Sequence, residues 1–191
     1  GVPDNGDYFH LSGRLICNWF EASRLATVDG GPENCNPCGP FRLQPSDDGS
    51  LASTSEAGFV GIVIDPVIYA NDYKFYLEYR TGSTTSGYIL IFAARVLENS
   101  YSGGYVDKTY LVDATPQTTS SSDSGYGDAA LLPGKQLVLD IGSSSSTKYF
   151  TVVVEPQIEA KILTVFLWTG DTPQCVEKAP ANDHWYRFIR A

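Results

Sequence analysis

The chain has 191 residues, of which 42% are hydrophobic and 18% charged, so it can bury a core and does not have the composition of a disordered protein. Its net charge of −9 argues against binding to nucleic acids and to anionic membranes. No apolar run approaches the ~20 residues that a membrane-spanning helix needs, so no membrane span is predicted.

The N-terminal part of the chain predicts one short helix and two short strands. Residues 10–20 are apolar without alternation, and Leu15, Ile16 and Trp19 fall at helical spacing. Strands are predicted at residues 24–28 and 41–43. The sequence GGPENCNPCGP between them predicts an irregular loop, because Pro, Gly and Asn interrupt it at nearly every step.

The strongest pattern in the chain lies between residues 73 and 96. Residues 73–80 alternate between apolar and polar side chains, which is typical of a half-buried strand. Residues 88–96 are apolar on both faces, which indicates a strand in the middle of a sheet. The small polar residues 81–86 join the two segments, so we predict a β-hairpin.

Each of six further segments has the length and composition of a short strand; they are residues 59–64, 109–113, 136–141, 150–154, 161–168 and 184–189. The two segments at 150–154 and 161–168 predict a second hairpin. Polar stretches at 46–58, 98–107 and 117–127 predict loops.

About ten short strands with regular turn signals predict an all-β fold, an antiparallel β-sandwich of jelly-roll-like type. We expect one domain over residues 1–191. Residues 1–45 are expected to form an N-terminal segment whose cysteine-rich loop packs on the sandwich.

Four cysteines predict covalent cross-links. Cys35 and Cys38 have the C-x₂-C spacing of a zinc site, but Cys17 and Cys175 do not supply a second such pair. We therefore favour two disulfides over a four-thiolate zinc site. A Cys35–Cys38 bond would close a very short ring, so we expect Cys17 to pair with one of these two and Cys175 with the other. A loop of ~20 residues closed in this way stabilises the fold by about 3 kcal/mol.

The chain contains no methionine and starts at Gly1, which predicts a processed protein. A removed signal peptide is the favoured interpretation, and cleavage from a larger precursor is the alternative. Both agree with a secreted, disulfide-containing protein.

No catalytic motif is present: there is no HExxH, no G-x-S-x-G and no P-loop. The two histidines, His10 and His184, lie in no recognisable constellation, and we interpret His184 as a packed or surface residue. The sequence therefore predicts a protein that is not an enzyme.

Acidic turns are candidate calcium sites, because carboxylate oxygens suit Ca²⁺. Asp123 and Asp128 are the calcium candidates, beside the clusters at residues 4–7 and 47–48. None of them has the spacing of an EF-hand loop, so we favour solvated turns and expect no cofactor.

Seven segments follow one another in a familiar order: NWF at 18–20, ASRLATV at 22–28, FRLQP at 41–45, YLEYR at 76–80, GYILI at 87–91, YLVDATP at 110–116 and DAALLPGK at 128–135. In this order they resemble the region downstream of the catalytic domain in gametolysin-like secreted zinc metallopeptidases, over residues 15–154. The resemblance implies a β-rich, extracellular, non-catalytic domain. The family's zinc-binding HExxH lies outside that region and is not found in this sequence, so no catalytic residue carries over.

These observations predict a non-enzymatic extracellular structural or adhesive protein, a building block of a matrix, coat or filament. Its partners would be further copies of itself, or other extracellular proteins and glycans. One alternative is an accessory domain cleaved from a metallopeptidase precursor. Another is a lectin-like carbohydrate-binding module, although Trp19, Trp168 and Trp185 have apolar neighbours and are expected in the core.

Overall fold

The computed structural model describes residues 11, 22–29, 38–47, 58–65, 73–81, 87–97, 105–114, 129–140, 149–157, 161–171 and 185–187. Within these ranges the chain forms ten strands: β1 (Leu25–Asp29), β2 (Cys38–Leu43), β3 (Gly61–Asp65), β4 (Tyr73–Arg80), β5 (Tyr88–Leu97), β6 (Tyr105–Val112), β7 (Gln136–Asp140), β8 (Tyr149–Val154), β9 (Leu163–Gly170) and β10 (Trp185–Arg187). A 3-10 turn at Ala22–Arg24 precedes β1.

The strands form two five-stranded sheets. Sheet A has the order β1-β3-β4-β5-β6, and sheet B has the order β10-β7-β8-β9-β2. Both predicted hairpins are confirmed, because β4 pairs with β5 and β8 pairs with β9, each in antiparallel register. The doubly apolar strand β5 lies between two neighbours, as predicted from its sequence.

The inner faces of the two sheets share one core. Alternate residues of β4 point into it, namely Phe75, Leu77 and Tyr79, and Leu163 and Val165 of β9 enter from sheet B. The rings of Phe75 and Phe150 stack with centroids 6.4 Å apart and join the two layers. Each such buried side chain stabilises the fold by about 1.5–3 kcal/mol. The all-β, two-layer prediction is confirmed, whereas the jelly-roll connectivity stays a prediction.

Sheet A is also covered on its outer face. Leu11, which is helical, packs with Leu25, Val63, Tyr76 and Ala94 in a second apolar cluster. Its side chain lies directly on the backbone of β3, where a Cβ at Gly61 would overlap it. Ala94 and Phe92 of β5 also belong to this cluster, which explains why β5 is apolar on both faces. Only Leu11 of the predicted N-terminal helix belongs to the described residues.

The prediction of a purely antiparallel sandwich is wrong for two strand pairs. The strand β1 lies parallel to β3, and β10 lies parallel to β7. Parallel neighbours need a crossover connection, which alternation within single strands does not reveal. Both β1 and β2 belong to residues 1–45, so this segment supplies an edge strand to each sheet.

Two predicted loops contain strand residues. Cys38–Pro40 was assigned to the irregular loop but forms the start of β2, and Tyr105 begins β6 inside the predicted loop 98–107. Gly39, with φ of 114°, and a register shift between Cys38 and Phe41 allow the chain to pair with β9 despite Pro40. Among the helical residues that the structure describes, no helix is long and apolar enough to cross a membrane.

Candidate functional site

Of the four cysteines, only Cys38 lies in the described part of the chain. It is half-buried at the start of β2 and is disulfide-bonded. The other three residues of the predicted site, Cys17, Cys35 and Cys175, lie outside the described residues, so the pairing of all four stays a prediction.

The calcium candidates Asp123 and Asp128, and both histidines, also lie outside the described ranges. Within those ranges no group of three or more His, Cys, Asp or Glu side chains is arranged to hold a metal ion. Asp47, from another acidic cluster, accepts hydrogen bonds from the backbone N–H of Thr81, 3.1 Å from each carboxylate oxygen. Its carboxylate therefore holds the turn after β2 against the end of β4.

The most buried charge in the described chain is Glu78, on the outer face of β4. Its side chain has no exposed surface. Oε1 accepts hydrogen bonds from the Ser46 hydroxyl at 2.6 Å and from Arg80 Nη2 at 3.1 Å, and Oε2 accepts one from the backbone N–H of Leu11 at 3.2 Å. A buried carboxylate is tolerated when donors and an opposite charge surround it, and Glu78 has both.

Glu78 thereby connects three separate parts of the chain: the N-terminal helical residue, the turn after β2, and β4 itself. Each of these partners is a donor that the carboxylate holds in place, and the group is closed to solvent. A proton-transferring carboxylate needs access to a substrate, so this cluster is arranged for structure rather than for catalysis.

A second polar group closes one end of the sandwich. Gln157 donates a hydrogen bond to the Tyr79 hydroxyl at 3.2 Å and accepts one from the Gly87 N–H at 3.3 Å. Burial raises the pKa of Tyr79 above its ordinary value, and the nearby Asp47 charge adds to this, while the Gln157 hydrogen bond lowers it. Burial also raises the pKa of Tyr88, against the effect of Arg80. Both hydroxyls therefore stay neutral near pH 7.

An open groove lies on the outer face of sheet B, where β2, β9 and the end of β8 run side by side. Its volume is about 400 Å³. We call it the sheet-B groove, and its lining residues are Pro40, Arg42, Glu155, Pro156, Ile162, Thr164 and Phe166. It combines a guanidinium, a carboxylate, a hydroxyl and an aromatic ring in one concave surface.

Trp168 continues this face of β9 beyond the groove. Its ring lies 6.1 Å from that of Phe166, tilted by 38°, and both side chains are partly exposed. The prediction that Trp168 belongs to the core is wrong, because the alternation along β9 sends Leu163, Val165 and Leu167 inward instead. Trp19 lies outside the described residues, and the side-chain environment of Trp185 is not described.

Sequence reasoning missed both the Glu78 cluster and the sheet-B groove. Ser46 lies 32 residues from Glu78, and Leu11 lies 67 residues away, so no local motif links them. For the groove, the alternation of residues 161–168 could have predicted part of the lining, because it places Thr164, Phe166 and Trp168 on one face of the strand.

Comparison with known proteins adds no assignment: no family model, no curated protein and no solved structure matches this chain.

Proposed function

We propose that this protein is a non-enzymatic extracellular structural or adhesive β-domain, a building block that assembles with further copies of itself. The observation that supports this proposal most directly is the edge strand β6 of sheet A with its exposed Tyr110.

The four edge strands differ in how well they could pair with a neighbour. In sheet B, β2 carries Pro40 and a register shift, and β10 has three residues. In sheet A, β1 has five residues and β6 has eight. Proline, irregularity and short length protect an edge from strand addition, whereas a long edge invites it. The strand β6 is the longest of the four edges and has no proline, although its pairing with β5 also shifts in register between Arg95 and Val96. It is therefore the edge best suited to assembly.

Tyr110 gives this edge an apolar contact. It is 41% exposed, and its ring lies 5.9 Å from the ring of Tyr73. Tyrosine is enriched at protein interfaces because its ring is large and apolar while its hydroxyl stays hydrogen-bonded. Among the described strands none pairs with the outer side of β6, so this tyrosine pair is the kind of surface that a neighbouring copy would bury.

The buried polar groups support a non-enzymatic protein. Glu78 is enclosed by donors, and Gln157 joins Tyr79 to Gly87, so both of these polar side chains are engaged in holding the fold together. Location outside the cell is proposed from the cysteine content and from the disulfide at Cys38, since such bonds persist mainly in oxidising compartments.

The test is the oligomeric state as a function of protein concentration, measured by light scattering coupled to gel filtration. We expect the wild-type mass to rise with concentration and Tyr110→Lys to stay monomeric, because the substitution replaces the exposed ring that a neighbouring copy would bury with a charged side chain. Leu132→Lys is the matched control, since Leu132 is also an exposed apolar residue, at 52%, and lies outside the strands.

A wild-type protein that is strictly monomeric at the highest attainable concentration would contradict the proposal. Equal self-association of wild type and Tyr110→Lys would show that assembly, if present, does not use β6. Thermal unfolding of both variants establishes that they are folded when they are compared.

A further inference from the structure

The strand ladder places three polar side chains in one row across the sheet-B groove. The N–H of Glu155 donates to the carbonyl oxygen of Thr164 at 3.0 Å, and Thr164 lies opposite Arg42 in the register of β9 and β2. Neighbouring strands are about 4.8 Å apart, so the row from Glu155 to Arg42 spans about 10 Å. A carboxylate, a hydroxyl and a guanidinium therefore lie side by side on one face.

An aromatic stripe runs along β9 next to this row. Phe166 and Trp168 follow Thr164 at intervals of two residues, so all three lie on the same face, with a separation of about 6.8 Å per step. Prolines at positions 40 and 156 and Ile162 form the apolar walls of the groove. The groove thus has an aromatic surface on one side and hydrogen-bonding groups on the other.

We propose that the sheet-B groove binds a neutral saccharide. Sugar hydroxyls both donate and accept hydrogen bonds, and the row offers an acceptor in Glu155, a donor in Arg42 and a group of both kinds in Thr164. The C–H faces of a sugar ring carry partial positive charge and pack against the negative face of an aromatic ring such as Phe166. The volume of about 400 Å³ falls within the range of small-molecule sites, roughly 300–1,000 Å³.

Two other classes of ligand fit the groove less well. An extended peptide would have to pair with the β2 edge, where Pro40 has no N–H to donate and the register is shifted. An anionic polymer would meet the Glu155 carboxylate and a chain with a net charge of −9. The row itself carries one positive and one negative group, which matches a ligand without net charge.

The test is affinity electrophoresis of the full chain in gels that contain hydroxyethylcellulose, galactomannan or mixed-linkage β-glucan, with dextran sulfate as the anionic probe. We expect retention by at least one neutral polymer. Phe166→Ala should weaken binding about tenfold, while Phe166→Tyr keeps the ring and should bind like wild type. Glu155→Gln should weaken binding by about two- to tenfold.

Asp171→Asn is the matched control for charge removal, because Asp171 is exposed beyond the far end of β9. It should bind like wild type. If Phe166→Ala unfolds, Glu155→Gln and Arg42→Ala decide the question, since both positions are at the surface of the groove. Retention by none of the neutral polymers, retention only by dextran sulfate, or equal retention of wild type and the groove variants would overturn the proposal.

Saccharide binding and self-association can fail separately. The groove belongs to sheet B and β6 belongs to sheet A, so Tyr110→Lys should keep its retention by the neutral polymer even when it is monomeric.

Discussion

Glu78 is a negative charge with no exposed surface, and the fold tolerates this burial because of the groups around the carboxylate. Ser46, Arg80 and the N–H of Leu11 are its donors. Breaking a buried ion pair usually costs more than the pair contributes, because the remaining partners lose their hydrogen bonds while they stay buried. Among the described side chains of sheet A, Glu78 is therefore one at which a conservative change should be strongly destabilising.

We predict that Glu78→Gln lowers the free energy of unfolding by about 2–4 kcal/mol, measured by urea denaturation. The amide keeps the shape of the side chain but replaces one acceptor oxygen with a donor, and it leaves the Arg80 charge without its partner. The same change at Glu155, which lies in the open sheet-B groove, should alter stability by less than about 0.5 kcal/mol.

Equal losses in Glu78→Gln and Glu155→Gln would show that burial of the Glu78 carboxylate does not stabilise the fold in the way described. A selective loss of hydrogen-exchange protection at the Leu11 amide in Glu78→Gln would locate the damage at the hydrogen bond between the Leu11 N–H and the Glu78 carboxylate.

The role of Glu78 could not be predicted from its neighbours in sequence. Within residues 73–80 it simply occupies a polar position of an alternating strand, and that alternation correctly predicted which residues point to the inter-sheet core. Alternation does not show that the opposite face is covered as well. That depends on Leu11 and Ser46, which tertiary structure brings to β4 from distant parts of the chain.

At the scale of elements, the two strongly patterned hairpins were predicted together with their pairing. The four edge strands were predicted as strands, but their neighbours in the sheets and the starts of β2 and β6 were not. In β4, β5, β8 and β9 the side-chain pattern decides which face is buried. In β2, the residues Gly39 and Pro40 are poor strand formers, and pairing with β9 overrides their local preference. The parallel positions of β1 and β10 depend on chain connections, for which the alternation within a strand carries no signal.

The packing on the outer face of sheet A can be tested by removing one buried side chain. Leu11 has no exposed surface and packs on Gly61 in the cluster with Leu25, Val63 and Tyr76. We predict that Leu11→Ala lowers the free energy of unfolding by about 2–5 kcal/mol, measured by urea denaturation, because it removes buried methyl groups and leaves a cavity.

Leu132→Ala is the matched control, because the same atoms are removed at a site that is 52% exposed. It should change stability by less than about 0.5 kcal/mol. A Leu11→Ala variant as stable as wild type would mean that Leu11 does not cover the outer face of sheet A in solution.

At the scale of the whole molecule, the all-β class and the two-layer arrangement followed from the number and spacing of short strands. The sheet-B groove did not, because it needs the order of β8, β9 and β2 within one sheet. Arg42 lies in β2, Thr164 in β9, and Glu155 directly after β8, so only sheet order makes them neighbours. Their combined chemistry is a property of the assembled fold.

The cysteines yield a prediction for the whole molecule, since the pairing expected from the sequence would join distant parts of the chain. We predict that the denatured, unreduced protein has no thiol reactive towards Ellman's reagent and releases no zinc. Reduction should lower the free energy of unfolding by about 2–4 kcal/mol, measured by urea denaturation with and without a phosphine reductant, because it frees loops that the bonds had closed. Four reactive thiols together with one released zinc ion would contradict this and indicate a thiolate metal site.

A Cys38→Ser variant identifies the pairing. Because Cys38 is disulfide-bonded, its replacement should free one thiol, and peptide mapping after alkylation names the partner. We expect the freed residue to be Cys17 or Cys175, since a bond to Cys35 would close a ring of very few residues and would tie no distant segment to β2. A bond from Cys17 or Cys175 anchors a remote segment to the edge strand that borders the sheet-B groove. The reduced protein should then lose saccharide retention at a lower urea concentration than the oxidised protein.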